Sequence, residues 1–165
     1  MRYNVTEYAN SQLYGLPVAV IDFETTGVDP HLCRAVEMAI VHLELGKANP
    51  EVVYKSRFNP GIPIPEGASD IHGIRDEDVA NEPFFGDAIE EINVLLEGRV
   101  LAAYNLPFDW TVLNCEYRRS GRWHPTERQR LDMGHQFFGL CGLVMAREVD
   151  NYSRGRGFHK LSSVC

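Results

Sequence analysis

The segment Val20-Ile21-Asp22-Phe23-Glu24-Thr25-Thr26-Gly27 ends an apolar run with two carboxylates two positions apart. In an extended strand, side chains at i and i+2 share a face, so Asp22 and Glu24 project together while Phe23 points the opposite way. A rise of roughly 3.3 Å per residue sets their Cα atoms about 6–7 Å apart. That spacing suits ligands of a metal pair held about 3.5–4 Å apart, the arrangement that serves phosphodiester chemistry. Without cations the two acids repel, which raises one pKa and costs stability. The solvated end of an ordinary strand, with Glu24 in water, is the alternative for so short a pattern. A third acid, Asp109, falls in the first turn of a later helical segment, where the helix dipole favours a carboxylate whatever its role.

Those acids need elements to position them. Pro17–Glu24 reads as a first strand, followed by the turn-rich Thr25–His31 stretch. Ala35–Leu45 alternates loosely and fits a strand or a helix, with the hairpin context favouring a strand. Glu51–Pro60 makes a third strand, closed by a Pro-rich segment. Three strands with short connections predict an antiparallel meander. Helical character begins near Asp76, where Ile89, Ile92, Leu95 and Leu96 fall at helix spacing and Gly98 makes a stop. Arg99–Asn105 is almost wholly apolar, as for a strand buried on both faces. From Leu106 the pattern is again helical, with Asn105 as N-cap, Pro107 in the first turn and Gly121 as the stop. A further helix is expected near Asp132, and Phe158–Cys165 resembles the first turns of another. Strands first, then alternating helix and strand, predict one mixed α/β sheet with helices on its faces.

A chain of 165 residues supports one domain with a substantial core. Residues 1–16 read as a polar leader and 17–165 as the domain. No apolar run approaches the roughly 20 residues of a membrane span. The N-terminus lacks a signal core, and Cys33, Cys115, Cys141 and Cys165 form no CxxC pair, so a reducing, cytoplasmic setting with no membrane partner is expected. A net charge of −7 argues against blanket neutralisation of a duplex. It leaves room for an enzyme that meets phosphate through bound cations.

The segments Asp22-Phe23-Glu24-Thr25-Thr26-Gly27 and Ala103-Tyr104-Asn105-Leu106-Pro107-Phe108-Asp109 resemble the first two motifs of the DEDD exonucleases, in the DnaQ-like branch with a catalytic histidine. Between them, Ile71-His72-Gly73-Ile74 resembles a further family segment. The stretches around Asp132 and His159 resemble two later helices, all in the family's order. The resemblance implies an RNase H-like fold, a mixed five-stranded sheet flanked by helices. It implies a 3′→5′ exonuclease of the proofreading type that uses two Mg²⁺ or Mn²⁺ ions. Asp22, Glu24 and Asp109 would be the catalytic metal ligands. Thr25, Thr26, Gly27, His72, Ile74, Asn105 and Phe108 would meet the 3′-terminal nucleotide. The partners implied are a single-stranded 3′ end of DNA or RNA and a polymerase or other replication or repair protein.

The family's third motif, a histidine with an aspartate five residues later, has no match. His159 is followed five residues on by Val164, and no Asp or Glu occurs after Asp150. The domain is therefore expected to be incomplete at its C-terminus and to lack the fold's last helix. A catalytically silent nucleic-acid-binding domain, or a truncated fragment of an exonuclease, is the alternative. Asp132 is a conceivable stand-in near the metals. The basic stretch Tyr117–Arg130 offers a phosphate contact or, equally, a solvated helix end.

Overall fold

A computed structural model describes residues 15–122 and 139–142. The expected helix near Asp132, the segment around His159, the leader up to residue 14 and most of the basic stretch lie outside the described residues.

Five strands form one sheet: β1 (Pro17–Thr25), β2 (Ala35–Glu44), β3 (Glu51–Arg57), β4 (Val100–Ala103) and β5 (Gly139–Cys141). Their order is β3-β2-β1-β4-β5. The first three form the expected antiparallel meander, and β4 and β5 add in parallel on the other side of β1. Between β3 and β4 come α1 (Glu66–His72), α2 (Asp76–Val79) and α3 (Phe85–Leu96); α4 (Leu106–Arg119) follows β4.

The two faces of β1 divide its work. Ala19, Ile21 and Phe23 are buried against Met38 and Ile40 of β2 and against Ile89, Ile92, Val112, Leu113 and Tyr117 of the covering helices. Phe85, at the start of α3, joins two strand or loop aromatics and one helical one. Its ring lies 5.0 Å from Phe58, and 6.2 Å from both Phe23 and Tyr117. On the other face, Val18 and Val20 line a shallow apolar groove with Leu43, Ala102 and Leu140, and beyond them the same face carries Asp22 and Glu24.

The helical stretch expected from Asp76 is broken into two, because Pro83 removes a backbone donor and restricts Glu82 before it. α3 restarts with the Asp87 carboxylate accepting the Phe84 N–H at 3.1 Å. α1 has no counterpart in the sequence reading: its single buried residue is Ser69, so it carries no apolar period to detect. α4 ends as expected. The Arg122 N–H bonds the Tyr117 carbonyl and the Gly121 N–H bonds that of Arg118, the paired closure that needs a left-handed residue, and Gly121 supplies it at φ +70°.

Phe85→Ala removes the shared ring from this core. It is expected to lower the unfolding free energy by about 3–5 kcal/mol, measured by denaturant melts at unchanged m-value.

Candidate active site

Asp22 and Glu24 stand on one face at the C-terminal end of β1, as i and i+2 residues must. Asp22 is exposed and Glu24 half-buried. The antiparallel register with β2 slips between Glu24 and Thr25, a bulge of the kind that re-aims a strand next to a site. β4 pairs with β1 only as far as Val20 against Ala102. Past that point the start of α4 approaches β1, where the backbone N–H groups of Phe23 and of Asp109 itself favour the charged form of the Asp109 carboxyl. Asn105 occupies the N-cap position of α4, but its side chain makes no capping bond.

The electrostatics join the three acids. Although Asp22 reaches solvent, the protein packed around its carboxyl strips enough water to hold it above its ordinary value, and Glu37 on β2 adds to the shift. Glu24 is raised by burial and then by Asp22, with His72 and Lys55 pulling in the opposite direction. Asp109, only 5% exposed, is raised to about 7 by burial, then by the Asp22 and Glu24 charges, despite its two backbone hydrogen bonds. Hard oxygen donors held above their ordinary pKa by burial and by neighbouring negative charge have the donor chemistry of a divalent-cation site. Among the described residues, no three His, Cys, Asp or Glu side chains are gathered into a ready-made cage. Mg²⁺ fits that situation, since it is usually held by one or two carboxylates together with substrate phosphates and water.

A cleft of about 700 Å³ opens beside Glu24. Thr25, Thr26, Gly27, His72, Asn105 and Phe108 all line it, together with Pro65 and Ala68. Ile74 does not. It is 3% exposed in a second small core with Val36, Ile64 and Val79, where apolar packing claims it. Two residues the sequence reading passed over stand on the cleft wall: Val28 and Ile71, 89% and 81% exposed, present large apolar groups to water. His72 is oriented from behind. Its Nδ1 accepts the Ile74 N–H at 3.1 Å, so the ring proton sits on Nε2. That Nε2–H is buried with no partner among the described residues.

The loop that carries Thr26 and Gly27 is fixed by α4. The Arg34 N–H donates to Thr26 Oγ1 and the Thr26 N–H to the Arg34 carbonyl, both at 3.0 Å. Arg34 in turn grips Glu116 through two hydrogen bonds of 2.9 and 3.2 Å, and the Ala35 N–H donates to the same carboxylate at 3.0 Å. Arg119 donates to Glu116 at 3.1 Å and to the Cys33 and His31 carbonyls at 2.8 Å each. The sequence reading missed Glu116, though a signal existed. It lies seven residues after Asp109, two helical turns along the same face.

A family model for exonucleases, RNase_T, matches residues 19–160. A DNA polymerase III subunit epsilon-like protein of Rhodobacter capsulatus is 35% identical over 102 residues, which is 61% of this chain and 14% of that protein. The 3′-5′ exonuclease DinG of Bacillus subtilis is 32% identical over 103 residues, 62% of this chain and 11% of that one. This chain thus spans a small part of the curated relatives it matches. A solved structure of exonuclease I superposes with a TM-score of 0.70 at 18% identity, over 90% of this chain and 34% of that one. At that identity the likeness establishes the fold, an RNase H-like mixed five-stranded sheet with flanking helices.

Two measurements follow from the site. In the unfolded chain Asp109 ionises near 3.8 and in the fold near about 7, so between those values the native state holds the extra proton. Stability then falls as pH rises through that window. In chelator, the wild type is expected to lose melting temperature from about pH 4 toward pH 7 relative to Asp109→Asn. Parallel profiles would contradict the shift. Separately, Glu116→Ala strands the Ala35 N–H and the two guanidinium groups, which are themselves only partly buried. The expected loss is about 2–3 kcal/mol, read from denaturant melts.

Proposed function

The chain belongs to the RNase_T exonuclease family, and on that premise we propose that it hydrolyses the terminal phosphodiester of a single-stranded 3′ end, releasing mononucleotides. The observation that carries the reading is the convergence of Asp22, Glu24 and Asp109 in one net negative field beside a nucleotide-sized cleft. Asp22, Glu24 and Asp109 would hold Mg²⁺ or Mn²⁺, with two ions expected in a complete site. When bound, the cations supply Lewis-acid polarisation of the scissile phosphate and a nucleophile at neutral pH.

The chain's own residues orient the substrate. Phe108 offers an aromatic surface in the cleft, and Val28 and Ile71 offer apolar flanks, contacts that accept any base because every base has an apolar face. Thr25 and Thr26 are held in place by their own bonds, Thr25 Oγ1 to the Gly27 carbonyl at 2.7 Å and Thr26 Oγ1 from Arg34. The Thr26–Gly27 backbone is therefore presented to the terminal sugar and phosphate as a preformed edge. The unpartnered His72 Nε2–H supplies one directional donor beside Glu24. In the reaction, water oxygen forms a bond to phosphorus as the bond to the preceding nucleotide's O3′ breaks, and the leaving oxygen takes up a proton.

The names of the relatives, a polymerase III epsilon-like subunit and a 3′-5′ exonuclease, support DNA as the first substrate to try and a replication or repair protein as a partner. An RNA 3′ end fits the same cleft chemistry. No helix among the described residues is long and apolar enough to cross a membrane.

The test is digestion of a 5′-labelled single-stranded oligonucleotide in Mg²⁺, in Mn²⁺ and in chelator. Stepwise shortening that needs the metal and disappears in Asp22→Ala is expected. Binding without shortening would instead mark a silent nucleic-acid-binding domain. His72→Phe keeps the aromatic ring and deletes the donor. It is expected to raise KM about 5–30-fold, the worth of a hydrogen bond of about 1–2 kcal/mol, and a KM within twofold of wild type would remove His72 from the site.

A further inference from the structure

The two sheet registers place charge in rows across the face that carries the acids. Asp22 pairs with Ala39, which pairs with Lys55; Glu24 pairs with Glu37, which pairs with Arg57. Direct partners on neighbouring strands share a face. Lys55 and Arg57 therefore stand on the face of Asp22 and Glu24, two strands away, or about 10 Å at the usual strand spacing. In one row the residue between acid and base is an alanine, whose methyl leaves the path between them low. In the other it is Glu37, which binds Lys55 and Arg57 at 3.3 Å each.

From this arrangement we propose that Lys55 and Arg57 form a phosphate subsite that holds the backbone of the single strand just upstream of the scissile bond. The proposal rests on the exonuclease reading for the position of that bond. The two cations are accessible, with side chains 63% and 42% exposed, while Glu37 is nearly buried at 16%. Glu37 thus acts as a fixed post that keeps two long side chains extended over the sheet. Exposed ion pairs of this kind are worth only about 0–1 kcal/mol, so a phosphate can take over both partners at little cost. A protein of net charge −7 repels a polyanion at long range. A strand approaching three carboxylates needs cations on the approach side, and these two lie on the same face as the acids. Lys55 already acts on Glu24 from that distance. A charged edge strand also guards a sheet against unwanted pairing, and β3 is an edge. That role alone requires no contact with substrate.

Salt dependence separates the two explanations, because each phosphate contact to a single strand contributes a slope of about 0.7 in log K against log salt. The probe is a fluorescent single-stranded oligonucleotide with a 3′-terminal phosphorothioate, which slows cleavage, titrated in Mg²⁺ over a range of salt. Lys55→Ala and Arg57→Ala are each expected to flatten the slope by about 0.7, and the double variant by about 1.4. Lys47→Ala, a surface control on the β2–β3 turn, should leave it unchanged. Glu37→Gln should bind the oligonucleotide as tightly as wild type or more so, since phosphate no longer competes with a carboxylate. A wild-type slope in the double variant overturns the subsite, as does an equal flattening by Lys47→Ala or no binding by the wild type. If the wild type binds without cleaving the unmodified strand, the exonuclease reading fails while the slope comparison still decides the subsite. If it cleaves and the double variant keeps the slope, only the subsite is lost.

Discussion

Two acids on one face of α4 are buried to nearly the same degree and treated in opposite ways, and the architecture of the site depends on that contrast. Glu116, 1% exposed, receives two guanidinium groups and a backbone N–H. Asp109, 5% exposed, receives two backbone N–H groups and two negative neighbours. A buried carboxylate with full partners is a structural tie, while one left in a field of its own sign must hold a proton or a cation. The fold could have neutralised Asp109 with one arginine, as it did Glu116 with two. It placed Asp22 and Glu24 there instead. An arrangement that costs the empty protein stability, beside an open cleft, is what the proposed cation-dependent chemistry requires.

The neutralised acid serves the other one. Glu116 and Arg119 tie α4 to the loop between β1 and β2, and the mutual bonds of Thr26 and Arg34 close that loop on itself. The helix that delivers Asp109 to the end of β1 also sets the position of Thr25, Thr26 and Gly27. The acid-bearing side of the cleft and its Thr25–Gly27 side are thereby referred to one rigid element. A hydrogen-bonded ion-pair network is suited to this task because, unlike apolar contact, it fixes direction as well as distance.

Much of this was legible in the sequence, and the parts that were not share a cause. β1 announced itself as an apolar run closed by charge, α3 through its 3.6-residue period, Asp22 and Glu24 through their spacing at the end of that run, and Asp109 through its place in the second family-like segment. α1 was invisible because a helix that buries only a serine writes no period. Ile74 was read toward the substrate because it belongs, with His72, to the Ile71–Ile74 segment that resembles a family motif. The tight turn at Gly73, with φ +77°, sends the two in different directions, Ile74 into a core and His72 toward the cleft. Glu37 and Lys55 were beyond reach for another reason. Their relation to Asp22 and Glu24 exists only through strand register, and a slip of one residue would send each to the opposite face.

Register also explains how one strand serves two chemistries. Odd positions of β1 reach into an aromatic and aliphatic core, and even positions run from Val18 and Val20 to Asp22 and Glu24. The change from apolar to charged along a single face occurs where β4 stops pairing, so the acids begin where the sheet narrows and a helix N-terminus takes over the edge. The Phe23 backbone N–H at that point favours the charged form of Asp109. The site is thus placed by topology: a central strand outruns its parallel neighbour, an acid-bearing helix start meets its end, and β3, two strands away, carries Lys55 and Arg57 on the same face. An acidic protein with that layout does not need a basic surface to engage a polyanion. It needs its few cations in line with its acids.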